Sequence, residues 1–197
     1  MGGRGQIVAG GLTLLISCWL LAAPAALAQG SPTIKGCVIK ARASCPRANL
    51  EKAQLPRAFL DRADLSGANL KSANLSEASL KGAYLDGANL QRAILVRASL
   101  QGARLTSAKM QGVNLQRAQL LNANLANAIM SGANLASANL TGANLTSANL
   151  AGANLFAVSL KGAKLQFADL RAAVWTDGSI CQEGSIGECR KPSPAKK

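Results

Sequence analysis

The sequence predicts an all-β solenoid of square cross-section, closed at each end by a short cap. Three observations point to it. A leucine, in two places a methionine, stands at every fifth position from Leu50 to Leu170. An alanine or valine lies two places before each of them. The phase holds without an insertion throughout.

The period excludes the usual single elements. An α-helix turns about 100° per residue, so a period of five scatters the leucines over every face. In a flat strand side chains alternate, so an odd period sends successive leucines to opposite sides. A chain that turns once every five residues satisfies the pattern, because Ala68 and Leu70 then point inward together ahead of the corner. Four such sides make a coil of about twenty residues, stacked on the next at the strand spacing of about 4.8 Å. Residues twenty apart then form vertical columns.

Ala68-Asn69-Leu70, Ala88-Asn89-Leu90, Ala133-Asn134-Leu135 and Ala153-Asn154-Leu155 resemble the A-(N/D)-L-x-x motif of the pentapeptide-repeat family, over roughly residues 48 to 173. The resemblance implies a right-handed quadrilateral β-helix, here of about six coils. Met110 and Met130 replace the central leucine, and Val113 and Val158 replace the small alanine. In a narrow core an extra methyl is accommodated only by local adjustment, so slight bulging without a break is expected there.

The flanks read differently. Residues 1–28 have a basic start at Arg4, a largely apolar run from Ile7 to Leu21, Pro24, and an A-x-A site at Ala26-Leu27-Ala28, the pattern of a secretory signal peptide. The expected compartment is periplasmic or secreted, with contact to a membrane only during export. Leu15-Ile16-Ser17-Cys18 also resembles a bacterial lipoprotein box, the alternative being a lipoprotein anchored at Cys18. Beyond the leader, residues 29–47 form an N-terminal cap, 48–174 the solenoid, 175–189 a C-terminal cap beginning at Trp175, and 190–197 a disordered basic tail.

A chain starting at Gln29 retains Cys37, Cys45, Cys181 and Cys189, an even number suited to disulfides in an exported protein. About six coils separate the two groups by roughly 30 Å at the strand spacing, whereas a disulfide needs Cα atoms within about 7 Å. The pairs are therefore Cys37 with Cys45 and Cys181 with Cys189, one at each end. The same separation, and the lack of any histidine, speaks against zinc.

The mature chain has 21 basic residues (22 less Arg4) against 9 acidic. From Lys35 to Arg117 basic side chains dominate, while residues 118–160 carry no charge. Arg57, Arg97 and Arg117 share one column, interrupted by Glu77, and Lys52 and Arg92 share a neighbouring one. These five are candidate contacts for a polyanion such as lipopolysaccharide, teichoic acid or extracellular nucleic acid; a solvated basic face is the plainer reading. Phe59, Tyr84, Phe156 and Phe167 fall in different columns, so specific single-strand recognition is not expected. In the uncharged half Asn124 and Asn144 stack in one column, Asn134 and Asn154 in another, a structural ladder first and a docking face second.

Catalysis finds little footing: there is no histidine to act as base, no phosphate loop, and no carboxylate cluster in one column. No cofactor is expected. The family's DNA mimics that bind topoisomerase resemble acidic, phenylalanine-centred cytoplasmic rods, and this basic, leucine-centred, leader-bearing chain departs on all three counts. The expected function is that of an exported non-enzymatic scaffold for a macromolecular partner, with envelope polyanion binding as the alternative.

Overall fold

A computed structural model describes residues 32–192. The signal segment 1–28, the lipoprotein cysteine Cys18 and the end of the tail, 193–197, lie outside the described residues.

The chain forms a quadrilateral coil in which each side contributes a single parallel bridge to the side twenty residues on, from Ser44 with Asp64 through to Asn154 with Val174. Every central side chain from Leu60 to Leu155 is fully inaccessible, including Met110 and Met130. The alanines two places earlier make room at the corners, so small and large residues fill the square together.

The hydrogen bonding explains the motif residue by residue. In the unit Ala133 to Ser137, the Ala133 N–H donates to the Met130 carbonyl at 3.0 Å and closes a turn. The Asn134 N–H donates down to Val113 at 2.9 Å, and those of Leu135 and Ser137 donate up to Asn154 and Phe156 at 2.8 and 2.9 Å. Only the Ala136 N–H finds no backbone partner, and the Asn134 Oδ1 accepts it at 3.1 Å. The asparagine thus serves its own turn, as Asn74, Asn114, Asn124, Asn144, Asn149 and Asn154 do for theirs. Stacking between asparagines is secondary: Asn144 Nδ2 donates to Asn124 Oδ1 at 3.2 Å, and Asn69 to Asn49 at 3.3 Å.

Each corner carries the left-handed conformation that type II turns require. Glycine is the residue that adopts it without cost, as at Gly132 with φ 64°. Other corners hold non-glycine residues, mostly arginine, serine and asparagine, at φ between 55° and 60°, including Arg47, Lys52, Arg57 and Arg62 in succession. Each such residue costs about 1–2 kcal/mol locally, which the stacked bonds on either side offset.

The expected bulges are absent at Met110, Val113 and Met130. Met110 and Met130 donate to the next coil at 2.7 Å, the same length as the leucines. Near Val158 the Ser159 N–H reaches Ala138 at 3.1 Å, a slight loosening without a break.

At the N-terminal end, β1 (Thr33–Ile34) and β2 (Cys37–Val38) form an antiparallel hairpin. Lys35 and Gly36 supply its turn with positive φ at both positions. Coil pairing already begins at Arg42, whose N–H donates to Asp61, so the stacked region reaches back into residues 42–47. At the other end Trp175 is only half-buried, and it shares the capping. After the turn at Asp177 and Gly178 the chain returns antiparallel, pairing Ile180 with Val174 and Ile186 with Asp169. This return covers two sides of the square. Leu160 and Leu165, under the other two, stay half-buried. Cys37–Cys45 and Cys181–Cys189 are bonded, with Cα atoms 5.5 and 5.0 Å apart.

The core therefore has unequal ends. Leu100→Ala should lower unfolding stability by about 2–5 kcal/mol, and Leu165→Ala by distinctly less, both read from chemical denaturation midpoints.

Candidate functional surfaces

The outward positions form twelve columns, three on each side of the square, and the structure sorts the five polyanion candidates within them. Arg57 is engaged: its Nε donates to Glu77 Oε2 of the next coil at 2.8 Å, in an exposed ion pair worth under about 1 kcal/mol. Arg97 and Arg117 occupy the same corner one and two coils above Glu77, and neither has a carboxylate within 4.0 Å among the described residues. Arg92 stands at the opposite edge of the side that ends in Arg97. Lys71, Gln91 and Gln111 join it around a shallow polar recess of about 250 Å³, and Gln91 Nε2 donates to Gln111 Oε1 at 3.1 Å. Lys52 is two coils below Arg92, with Ser72 between them. All five thus lie on one side of the square, with Arg92, Arg97 and Arg117 in adjacent coils and Lys52 and Arg57 two coils below Arg92 and Arg97.

Between Arg92 and Arg97 the same side exposes Ile94 and half-exposes Val96, an apolar strip framed by two cations. Sequence reading passed over it, although Ile94 breaks the A-N-L pattern where an asparagine belongs. A second unforeseen cluster joins Tyr84, Asp86 and Arg104. The Arg104 Nε lies 3.1 Å from Asp86 Oδ2, and its guanidinium sits 5.6 Å from the Tyr84 ring centre. The twenty-residue spacing of Tyr84 and Arg104 was the available signal. Asp86 also accepts the Thr106 N–H, and Asp61 the Lys81 N–H at 3.0 Å. In both turns the motif asparagine is missing, and an aspartate of the coil below takes its place.

Above Arg117 the uncharged half presents mainly asparagine, serine, threonine, glycine and alanine, with Gln119 and Phe156 exposed among them. Thr146 Oγ1 donates to Asn144 Oδ1 at 2.7 Å, and the Thr141 and Ser159 hydroxyls meet at 3.0 Å. Side chains fixed in this way offer a flat face that is already ordered before any partner arrives.

A model of pentapeptide repeats matches eight copies, with residues 43–82, 73–112, 83–120, 105–142, 118–156 and 138–174. The chain belongs to the pentapeptide-repeat family. Its fold is accordingly the right-handed quadrilateral β-helix. Among solved structures, the chain is similar to HetL, a pentapeptide repeat protein involved in heterocyst differentiation regulation from the cyanobacterium Nostoc sp. strain PCC 7120. They share 32% identity over 70% of this chain and 78% of that one, with a TM-score of 0.34. A pentapeptide repeat protein from the cyanobacterium Cyanothece 51142 shares 31% identity over 67% and 90%, at TM-score 0.40. QnrB1, a plasmid-mediated fluoroquinolone resistance protein, shares 20% over 67% and 74%, at TM-score 0.42. No curated protein matches the chain. At these TM-scores the superpositions add nothing to the assignment, which rests on the repeat model.

The C-terminal cap is tied by two carboxylates. Arg171 donates to both oxygens of Asp169, and this bonding holds the Asp169 carboxyl below the ordinary range. Lys191 and then Ser179 bond Asp177 and lower it further. A depressed carboxylate contributes its stability above the unfolded value of about 4 and loses it only as pH falls through the lower folded value. Trp175 emission, measured with Trp19→Phe, should therefore stay constant from neutral pH down to about 4 and change only in stronger acid. Asp177→Asn should flatten part of that acid transition.

Proposed function

We propose that this pentapeptide-repeat protein is an exported, non-enzymatic scaffold that presents rigid solenoid faces to a macromolecular partner in the periplasm or cell envelope. The observation that carries the reading is the uncharged half, residues 118–160. There the outward asparagines are pinned to their own turns, and the surface is ordered at no further entropic cost. The bonded cysteine pairs at both ends support an oxidising compartment. The absence of histidine in the sequence supports a binding role over acid–base chemistry.

The test begins with intact mass. Protein from fractionated native cells should start at Gln29 and gain about four hydrogens on reduction, one pair for each disulfide. A cytoplasmic, uncleaved, fully reduced species overturns the export reading. A photo-crosslinker at Ser137 should then capture a macromolecule from the envelope fraction, whereas one at the exposed edge of the tail, Arg190, should not.

Polyanion binding is a second reading, favoured by one observation: Arg92, Arg97 and Arg117 share a side and lack carboxylate partners among the described residues. Affinity for lipopolysaccharide should fall steeply with salt, and Arg97→Gln with Arg117→Gln should weaken it more than Arg57→Gln. A salt-independent signal would refute this reading. DNA mimicry toward a topoisomerase is disfavoured by the same free cations.

A further inference from the structure

We propose that the N-terminal end of the rod is a docking surface for an anionic phospholipid bilayer. The basal coil carries a cation at each of its four corners, Arg47, Lys52, Arg57 and Arg62, and Arg42 holds the corner just before them. All five are exposed and all five have left-handed backbone, with φ between 56° and 58°. Glycine is the residue those corners favour, and one coil higher the corresponding corners are Gly67, Ser72, Glu77 and Gly82. Non-glycine corners recur up the rod, but here all four corners of one coil are non-glycine and all four are cations, a closed ring of positive charge. Lys35 and Lys40 in the adjoining cap add to it.

The two acids at this level are directed elsewhere. Glu51 Oε2 accepts from Asn69 Nδ2 at 3.3 Å, and Asp61 accepts from the Lys81 N–H at 3.0 Å, both in the coil above. Among the described residues neither acid lies within 4.0 Å of a ring cation, and five cations against two acids leave this level net positive. Arg57 is paired with Glu77, but both partners are exposed and the pair exchanges readily for a phosphate.

The same end exposes apolar surface. Phe59 is 73% and Val38 37% exposed, beside the exposed prolines Pro32 and Pro56. Ile34, Ile39, Leu55, Pro56 and Phe59 line an open cavity of about 430 Å³, with Lys40 and Arg57 also on its wall. A soluble polyanion would use the cations and leave Phe59 and the cavity without a role. A bilayer interface offers phosphates in a plane with an apolar phase directly behind them, which matches a cationic ring with an exposed phenylalanine between two of its corners and an apolar cavity at the same end. The inference stands on residues 32–62 and is independent of the export reading. It assigns the opposite end of the rod from the uncharged face.

The test uses the full-length protein and co-sedimentation with vesicles of phosphatidylcholine, alone or with about one-third phosphatidylglycerol. Retention on anionic vesicles should exceed that on neutral ones by about tenfold or more and should fall with salt. Each basic residue near such a surface contributes about fivefold, so Arg47→Gly, Lys52→Gly and Arg62→Gly together should weaken binding by about 100-fold. Because glycine suits those corners, the triple variant should melt no lower than the parent, which separates lost binding from lost folding. Phe59→Ser should weaken vesicle binding and leave binding to soluble polyphosphate unchanged.

Three results would overturn the proposal. One is equal retention on neutral and anionic vesicles, which assigns binding to the apolar run Ile7 to Leu21 alone. Another is unaltered anionic binding by the triple variant. The third is vesicle binding indifferent to Phe59→Ser and fully competed by polyphosphate, which makes the ring a collar for soluble polyanions.

Discussion

The rod depends on one constraint: no segment of the coil is long enough to satisfy its own backbone, so three of the five N–H groups in a unit such as Ala133 to Ser137 must find their partners one coil away. A side contributes a single bridge, and the bonds of Asn134, Leu135 and Ser137 all leave their own coil. Regular strands share this burden along a continuous ladder, whereas here it is renewed at each corner. The leucine core and the backbone ladder are therefore one cooperative system, with each coil held by its two neighbours. The same dependence makes the ends the weak points, and both are stapled by a disulfide.

The constraint also explains the composition of the motif. Four of the five N–H groups in a unit are taken by backbone carbonyls, and the fifth requires a short side-chain acceptor two residues earlier. Asparagine and aspartate have the right reach. Where the position is used for another purpose, as at Arg104, an aspartate in the coil below restores the bond through Asp86. Surface chemistry is thus free to vary only where the backbone has a second supplier or can do without one.

Much of this was legible in the sequence, and the reason is that the core pattern is strictly periodic. Leu50 to Leu170 specify the number of turns, and the columns follow by adding twenty. The cysteine pairs follow from the length of the rod between them. Other features depend on side-chain direction or on local backbone conformation, which spacing does not encode. Arg57 reads as a free cation until its Nε is found against Glu77. The left-handed corners are signalled only where glycine stands, and arginine or serine at the others conceals the same geometry. The antiparallel return from Ile180 to Ile186 breaks the period altogether, so nothing in the repeat announces it. The candidate surfaces were legible as columns of charge, but not in which members remain unpaired.

The four-sided coil makes the rod a rotary ruler. Inserting a whole coil of twenty residues lengthens it by about 4.8 Å and leaves every face above in its original azimuth. Inserting one unit of five adds only a quarter turn and swings everything beyond it by about 90° relative to the basal ring. Reach and orientation are thus set by separate kinds of insertion or deletion. Drift in repeat number therefore tunes where a face stands, while drift in repeat phase tunes which way it looks.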